Sequence, residues 1–367
     1  MTRRELIRNA ALAAVSLALP QGSRAPRRHF VWMRPSLTRS AEDWKREFAM
    51  LRSSGITGII PEVYNGRQTF FPSARLPMRA PWLPDTIPLA AAAGLEVHGW
   101  MWCMPCNVPE IIREHPDWYN VNATGESAAD KPAYVDYYKF LDPARPEVRA
   151  FVRDTVRELA AVRGLTGIHL DYIRHPDAIL PSGLWSKYGI VQDKVYPPYD
   201  YGYTPYSRKV FLERHGLDPM RLIDPERNHE WLQYRLDSVV DLVNDYLAPA
   251  AKSAGKQITA AVFPGPSLAR TMVRQDWGRF QLDAYLPMLY HSFYDAGPDW
   301  VRKYTEEAVR TVKKPVHSGL FVSPLSDADF ARTIEMALQG GAAGVSIFDA
   351  GAMTPARWAL FAKVVQA

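Results

Sequence analysis

The chain has 367 residues, of which 47% are hydrophobic and 23% charged, a composition typical of a folded globular protein and unlike that of disordered or fibrous chains. Its net charge of +5 is concentrated at the amino terminus, because residues 1–25 carry four Arg against one Glu. The rest of the chain therefore gives no electrostatic case for a nucleic-acid partner.

Residues 1–25 have the three parts of a bacterial export signal. The pair Arg3-Arg4 is followed by an apolar run from Ala10 to Leu19 and by a small-residue cleavage sequence, Ser23-Arg24-Ala25. The paired arginines resemble a twin-arginine signal, and the apolar run is too short to cross about 30 Å of hydrocarbon as a helix. We therefore predict a signal peptide at 1–25 and a periplasmic or secreted mature domain at 26–367, with no integral membrane segment. The alternative is an amphipathic N-terminal helix.

After the predicted signal, short apolar runs bounded by Gly and Pro alternate with longer amphipathic stretches, as in repeated βα units. The predicted strands are His29–Arg34, Gly55–Tyr64, Leu95–Trp102, Gly167–Tyr172, Gln257–Phe263, Leu282–Tyr290, Pro315–Phe321 and Gly344–Phe348. The predicted helices include Ser40–Ser53, Arg145–Arg163, Arg227–Lys252, Trp300–Val312 and Asp327–Gly340. Eight strands, mostly joined by helices, predict a single α/β domain, a (β/α)8 TIM barrel over about residues 29–362.

Two predicted connections are too long to be simple turns. Cys103–Tyr138 follows the third strand and Arg174–Tyr206 follows the fourth, and both are rich in Tyr and Trp. They leave the carboxyl ends of strands, where barrel enzymes build their active sites. The aromatic rings either stack on sugars or form a small core within the loops. In the first case, Trp185 and the Tyr196–Tyr206 cluster are expected to form one wall of an open groove.

The two cysteines, Cys103 and Cys106, form a C-M-P-C sequence. No second cysteine pair exists to complete a structural zinc site. We expect a structural role for the pair, either free or bridged by a disulfide, and a redox-active dithiol is the alternative.

The segment Gly164–Pro176 carries the most specific candidate residues. Side chains alternate along a strand, so His169 and Asp171 share one face while Ile168 and Leu170 share the other. We expect the apolar pair to pack on the outer helices. Asp171 would then point into the barrel at its rim, where aromatic surroundings can raise its pKa and make it a general acid. The alternative is a structural ion pair between Asp171 and Arg174.

The run from Gly167 to Pro176, Gly-Ile-His-Leu-Asp-Tyr-Ile-Arg-His-Pro, resembles the fourth-strand signature of the glycosyl-hydrolase-like 10 family of bacterial envelope barrels. Further matching segments follow in the same order along the chain. They are Phe30-Val-Trp-Met, Glu62-Val-Tyr-Asn-Gly-Arg, Phe71-Pro-Ser, Leu95-Glu-Val-His-Gly-Trp, Leu141-Asp-Pro-Ala-Arg-Pro-Glu-Val-Arg and Tyr285-Leu-Pro-Met-Leu-Tyr.

The resemblance covers nearly all of residues 29–351 and implies a carbohydrate-active barrel. It extends to the hydrolase domain of the exported poly-N-acetylglucosamine deacetylase, and it implies that Asp171 is the catalytic acid. One departure is Tyr172, which stands where some relatives carry a second Asp.

Glycoside hydrolysis usually needs a second carboxyl group. The candidates are Glu62 near the end of the second strand, Asp349 just after the eighth, and Asp136 in the loop after the third. Glu62 ranks first because polar residues follow it, although it could pair with Arg34, and Asp349 could merely cap a turn. Cleavage assisted by an N-acetyl group of the substrate would remove the need for a second carboxylate.

Aromatic and polar residues near the predicted strand ends suit sugar binding, because indole and phenol rings stack on the apolar faces of sugars. Each aromatic residue could instead belong to the core. The residues predicted to bind substrate are Trp32, Tyr64, Asn65, Arg67, His98, Trp100, Trp102, His169, Tyr172, Arg174, Trp185 and Tyr290.

A different enzyme class is suggested by histidines on four strands, His98, His169, His291 and His317. They could belong to a metal-dependent amidohydrolase, but such a barrel normally carries His-x-His on its first strand. Here the first strand reads His29-Phe-Val-Trp-Met-Arg.

The sequence therefore predicts an exported glycoside hydrolase that acts on a polysaccharide or oligosaccharide, with Asp171 as general acid and with no metal or other cofactor. The alternative is a barrel that binds glycans without cleaving them. Nothing in the sequence fixes an oligomeric state.

Overall fold

The computed structural model describes residues 26–366, so the predicted signal at 1–25 lies outside the described residues. Eight parallel strands form the centre of the molecule. They are β1 (Phe30–Met33), β2 (Gly58–Tyr64), β3 (Glu96–Trp102), β4 (Gly167–Asp171), β5 (Gln257–Val262), β6 (Ala284–Pro287), β7 (His317–Phe321) and β8 (Gly344–Phe348).

The strands follow one another around the sheet in the order β6-β5-β4-β3-β2-β1-β8-β7. Backbone hydrogen bonds also join β6 to β7, from Tyr285 N to Pro315 O at 3.0 Å and from Leu289 N to Gly319 O at 2.8 Å. These bonds close the sheet into a barrel. The predicted single (β/α)8 barrel is thereby confirmed.

Alternation along the strands separates two cores. One set of side chains points to the barrel axis and forms the inner cluster Phe30, Trp32, Ile60, Trp100, Ala261 and Leu286. The intervening side chains, such as Ile168 and Leu170 of β4, face outward into a larger cluster shared with the helices. The predicted division of β4 into a polar inner face and an apolar outer face is therefore correct.

Twelve α-helices occur among residues 26–366. They are α1 (Ala41–Ser53), α2 (Trp82–Ala92), α3 (Pro109–Glu114), α4 (Pro146–Ala160), α5 (Trp185–Tyr188), α6 (Pro205–His215), α7 (His229–Asp241), α8 (Ala248–Ser253), α9 (Pro266–Met272), α10 (Pro298–Thr311), α11 (Asp327–Gln339) and α12 (Pro355–Gln366). None of the described helices is both long and apolar enough to span a membrane.

Local sequence explains where individual helices begin. The Ser40 hydroxyl accepts a hydrogen bond from the Asp43 backbone N–H, and the Asp43 carboxylate accepts one from the Ser40 N–H, so a capping box starts α1. In α4, Val148, Val152 and Val156 are buried at helical spacing against the barrel.

The predicted helix Arg227–Lys252 is interrupted. A π-helical segment, Leu242–Leu247, separates α7 from α8. Pro249 in the first turn of α8 has no N–H to donate to an i−4 carbonyl. Apolar periodicity does not reveal this wider turn.

Candidate active site

A cavity of about 610 Å³ opens at the carboxyl ends of the strands, the face on which the long loops were predicted to lie. Most of the residues predicted to form the site line it. They are Trp32, Glu62, Asn65, Arg67, Trp100, Trp102, Asp171, Tyr172, Arg174 and Tyr290. The cavity has the size and the mixed aromatic and polar lining of a small-molecule or glycan site.

Asp171 is the last residue of β4 and is 8% exposed. The Trp100 indole N–H donates to Oδ2 at 2.9 Å, and the Tyr172 backbone N–H donates to Oδ1 at 2.7 Å. Burial raises the pKa of Asp171 to about 6, opposed by the Tyr172 N–H, the Arg174 charge and the Trp100 N–H. The carboxyl group can therefore exchange a proton in the range in which acid catalysts work.

Arg174 does not pair with Asp171. Its Nη1 donates to Asp177 Oδ2 and to the His175 carbonyl, both at 2.9 Å. The alternative of a structural Asp171–Arg174 ion pair is therefore wrong, and Asp171 keeps its carboxyl oxygens directed to N–H donors at the cavity.

Glu62 is another buried carboxyl group that lines the cavity. It lies on β2 opposite Trp100 of β3, the same residue that bonds to Asp171. Burial raises the pKa of Glu62 to about 7; the Arg34 charge opposes the rise, while the charges of Asp171 and Asp349 add to it. The influence of Asp171 on this pKa places the two carboxyl groups within electrostatic reach of each other.

Asp349 is engaged elsewhere. It forms an ion pair with Arg34, the residue that was the alternative partner of Glu62. Arg34 lines the cavity, whereas Asp349 does not. Asp136, the third candidate, does not line the cavity either. Glu62 is thus the candidate that the fold brings to the same space as Asp171.

Tyr64 is displaced from the site by an irregularity in β2. Glu62 pairs with Trp100, but Tyr64 pairs with Met101, so two steps along β2 match one along β3. This bulge turns Tyr64 to the outer face, where it is buried beside Cys106. The predicted substrate-binding role of Tyr64 rested on its place at the end of the second strand, and the bulge turns it away from the cavity.

The predicted histidines lie deeper in the barrel than the cavity. His169 is fully buried, accepts a hydrogen bond from the Trp32 indole at 3.1 Å and bonds to Thr259 through its other ring nitrogen. His98 lies at the opposite end of the barrel next to Glu96. His169 faces inward as predicted, but both histidines sit too early in their strands to reach the cavity, so neither lines it as the substrate-binding prediction required.

Residues 26–366 contain no group of three or more His, Cys, Asp or Glu side chains arranged to bind a metal ion. His317 bonds to the Arg28 carbonyl, near the same end of the barrel as His98. His98 and His317 thus share one end of the barrel, but the four histidines behind the amidohydrolase alternative do not all meet at one place.

Apart from Tyr172 and Arg174, the loop after β4 lines the cavity with residues other than those predicted. The Trp185 indole donates to the Leu180 carbonyl at 2.9 Å and does not line the cavity. Tyr201 and Tyr203 are buried within the loops, Tyr203 against Trp231 at 5.0 Å between ring centroids. The aromatic cluster thus forms a small loop core, while the cavity wall comes from neighbouring positions in the same loop: Leu180, Pro181, Leu184, Lys187 and Tyr188.

Several cavity residues were not predicted individually. Tyr137 and Tyr138 come from the loop after β3, and Phe321 and Phe348 are the last residues of β7 and β8. The two Phe could have been predicted from strand alternation, by following the inward-facing positions of each strand to its last residue. The Tyr pair sits in irregular backbone, where no period identifies the facing side chain.

An aromatic layer lines this end of the barrel. Trp102 lies 4.8 Å from Tyr172 and 5.6 Å from Tyr137 between ring centroids. Tyr290 packs on Phe348 at 5.6 Å. These rings leave broad apolar surface beside the two carboxyl groups.

Cys103 and Cys106 are free thiols, and both are buried. Burial raises the pKa of each thiol, which disfavours the reactive thiolate. The Cys103 backbone N–H donates to the Asp171 carbonyl at 2.8 Å. The pair therefore packs behind the catalytic candidate as the predicted structural element.

No model of a known protein family matches the chain, and no curated protein matches it. Membership of the glycosyl-hydrolase-like 10 family accordingly stays a prediction. Solved structures do match over nearly the whole chain, at low sequence identity.

The PgaB (BpsB) glycoside hydrolase domain from Bordetella bronchiseptica superposes with a TM-score of 0.72 at 14% identity, covering 92% of this chain and 98% of that one. The catalytic domain of β-amylase from Paenibacillus polymyxa gives a TM-score of 0.61 at 12% identity, covering 92% and 97%. A β-galactosidase from Marinomonas ef1 gives 0.63 at 14% identity, covering 92% and 59%. These likenesses establish a shared barrel fold.

Proposed function

We propose that this protein is a glycoside hydrolase acting on a polysaccharide or oligosaccharide. The observation that carries the proposal is the pair of buried carboxyl groups, Glu62 and Asp171, each with a raised pKa, in one aromatic cavity at the catalytic face of the barrel. The structural likeness to glycoside hydrolases supports the same class of reaction.

In the proposed mechanism, Asp171 is the general acid and Glu62 the second carboxyl group. Asp171 donates its proton to the glycosidic oxygen as the bond to the anomeric carbon breaks. Glu62 then either takes a proton from the attacking water or attacks the anomeric carbon itself. The aromatic rings exclude water, which strengthens both steps.

The hydrogen bonds favour a second assignment, in which the roles are reversed. Both oxygens of Asp171 accept N–H donors, which stabilise its anionic form. Burial raises the pKa of Glu62 to about 7, so its protonated form is present near neutral pH. In this version Glu62 donates the proton and Asp171 is the base or nucleophile, in keeping with the rule that environments separate the pKa values of an acid–base pair.

Two variants and two kinds of leaving group test the proposal. A panel of 4-methylumbelliferyl glycosides and of natural oligosaccharides is offered to the wild type, Asp171→Asn and Glu62→Gln, with the exposed Asp130→Asn as a matched control. Loss of the acid should slow the natural substrates by about 10²–10⁴-fold and the activated ones much less. Loss of the other carboxyl group should slow both kinds.

The outcomes separate the alternatives. Selective loss on natural substrates with Asp171→Asn supports Asp171 as acid, and the same pattern with Glu62→Gln supports the reverse. If the wild type cleaves no member of the panel but retains some of them in affinity electrophoresis, the protein is a glycan-binding barrel. Full activity in both variants would contradict a catalytic role for Asp171 and Glu62.

We also propose export through residues 1–25, on the basis of their sequence. The double change Arg3→Lys with Arg4→Lys should leave the protein in the cytoplasm, since twin-arginine recognition reads the guanidinium pair. Arg24→Lys is the matched control. Unchanged export of the double variant would indicate the general secretory route, and full-length wild type in the cytoplasm would contradict export altogether.

A further inference from the structure

We propose that the cavity receives the end of a glycan chain, so that the enzyme releases short products from a chain terminus instead of cutting within the chain. This inference rests on the proposed function and concerns the shape of the same site. It depends on which sides of the cavity are closed.

The loops after β2 and β3 are in direct backbone contact. The Asn107 N–H donates to the Gly66 carbonyl at 2.6 Å. Gly66 has φ +77°, and a side chain there would lie 2.7 Å from the Pro105 carbonyl. No sugar chain can pass between these two loops.

The loops after β3 and β4 are joined through Tyr134, which lines the cavity. Its hydroxyl donates to the Asp177 carbonyl at 2.7 Å and accepts a hydrogen bond from Gln192 Nε2 at 2.9 Å. Its ring stacks on Tyr199 with 4.7 Å between centroids. The wall therefore continues from the β3 loop into the β4 loop.

The loop after β4 also reaches over β5 to the loop after β6. The Ser182 hydroxyl donates to Asp295 Oδ2 at 2.9 Å. A Cβ on Gly183 would meet the carbonyls of Ser292 and Phe293 at 2.7 and 2.8 Å, so the approach is close enough to require glycine. This contact closes the cavity at its β6 side.

The opposite rim is low. The connections after β7, β8 and β1 span only residues 322–326, 349–354 and 34–40. The Arg34 side chain on this rim is 55% exposed. The cavity is thus walled along an arc from β2 to β6 and open over β7, β8 and β1. A polymer that crossed the site would need a second exit, which the arc does not provide.

The walled side carries a polar pair suited to a terminal sugar. Arg174 and Asp177 line the cavity, are nearly fully buried and pair at 2.9 Å. The Arg174 guanidinium lies 5.2 Å from the Tyr172 ring centre and 5.4 Å from that of Phe263. Adjacent donor and acceptor groups beside aromatic rings match the vicinal hydroxyls of a sugar ring, and the surrounding wall leaves no room for a chain to continue beyond that ring. We place the chain terminus against this pair.

The experiment follows product length during hydrolysis of carboxymethylcellulose, laminarin, dextran, glycol chitin and poly-β-1,6-N-acetylglucosamine. On any polymer that is cleaved, the wild type should release products of one short length from the earliest times. The viscosity of the solution should fall slowly relative to the number of reducing ends formed. Products of many lengths at early times would overturn the inference while leaving the hydrolase standing.

A second experiment uses a variant in which part of the cavity wall, in the loop after β4, is removed. Residues 182–188 are replaced by Gly-Ser-Gly-Gly, whose five chain steps span up to about 17 Å. The variant should yield mixed product lengths and a several-fold larger viscosity drop per bond cleaved, whereas Ser323→Gly on the open rim should behave as wild type. An unchanged product pattern in the folded variant would overturn the wall argument.

If the shortened loop prevents folding, the single change Ser182→Ala removes the donor of the bridging hydrogen bond and should shift the pattern in the same direction. If the wild type cleaves no polymer and no aryl glycoside, the proposed hydrolase function is wrong. The inference that the enzyme cleaves from a chain terminus is then wrong as well. The two failures are therefore distinguished by the wild type alone.

Discussion

Trp100 donates a hydrogen bond to Asp171 and so tunes the proton affinity of the proposed acid. Because the indole N–H stabilises the carboxylate, Trp100→Phe should raise the pKa of Asp171 further, by about one unit. The limb of the kcat/KM against pH profile that belongs to Asp171 should move to higher pH. Trp82→Phe, an outer-core indole packed on Trp44, is the matched control and should leave the profile in place. A profile unmoved by Trp100→Phe would contradict the tuning role.

Glu62 should reduce stability at neutral and alkaline pH. Its folded pKa, about 7, lies above the ordinary value of 4.5, so between these pH values the folded state binds more protons than the unfolded state. Glu62 therefore lowers the free energy of unfolding progressively as the pH rises from about 4.5 to about 7. Above this range the loss of stability is constant.

Glu62→Gln removes this cost. Its free energy of unfolding should exceed that of the wild type by about 2–3 kcal/mol at pH 8 and by much less at pH 4.5. Urea denaturation at the two pH values measures the difference, with the exposed Glu110→Gln as control. An equal effect at both pH values would indicate a packing change and not the buried charge.

Strand alternation and chemical type predicted the residues that lie at strand ends. Alternation along the fourth strand predicts that Asp171 faces inward at the carboxyl end of that strand. Glu62, Trp100 and Trp102 are predicted from their residue types and their places near strand ends, and all of them line the cavity. Tyr64 was misplaced because a bulge changes the phase, and no residue in the local sequence announces the bulge. Trp185 was misplaced because loop aromatics can face the cavity or one another, and only tertiary contacts decide.

The segment after β4 is held to the barrel by a buried ion network. Asp200 bonds to Arg235 and Arg274, and Glu226 joins both arginines from a more exposed position. Asp200→Asn would remove the buried negative charge that the Arg235 and Arg274 guanidinium groups share. This change should lower the free energy of unfolding by about 3–5 kcal/mol.

The exposed Asp193→Asn in the same loop is the control for that change and should be close to neutral. Guanidinium chloride denaturation measures both variants. A loss well below 1 kcal/mol for Asp200→Asn would show that the network is dispensable for stability. The network itself was not predicted, since its members are separated in sequence by 74 residues at the extreme, from Asp200 to Arg274.

The sequence predicts the presence of strands and helices better than it predicts their first and last residues. All eight predicted strands exist, because Gly and Pro bound their apolar runs, but most are shorter than predicted. The sixth shrinks from nine predicted residues to Ala284–Pro287, although Met288 and Leu289 beyond its end still donate backbone hydrogen bonds to the neighbouring strands. Apolar runs report burial, whereas strand limits depend on which neighbours supply backbone partners.

Closure of the barrel between its first and last strands joins the two ends of the described chain. The Arg28 N–H donates to the Ala343 carbonyl at 3.1 Å, and the Arg28 carbonyl bonds to His317 at 3.0 Å. Gly344, the first residue of β8, lies directly against the Arg28 carbonyl, so that an added Cβ would clash with backbone. Because β1 and β8 must both shift to relieve that clash, the effect is expected to spread through the sheet and not remain local.

Gly344→Ala should therefore destabilise the whole barrel, by more than about 4 kcal/mol, through overpacking against backbone that cannot rotate away. Gly297→Ala is the matched control, because a Cβ there meets nothing within 4 Å and the backbone is extended. Calorimetry of both variants, read together with far-ultraviolet circular dichroism and Trp fluorescence, measures the loss and whether all signals change at one temperature. A single lowered transition supports closure as a property of one cooperative unit. A normal transition for Gly344→Ala would show that the β1–β8 seam can relax, and two separated transitions would contradict the single domain.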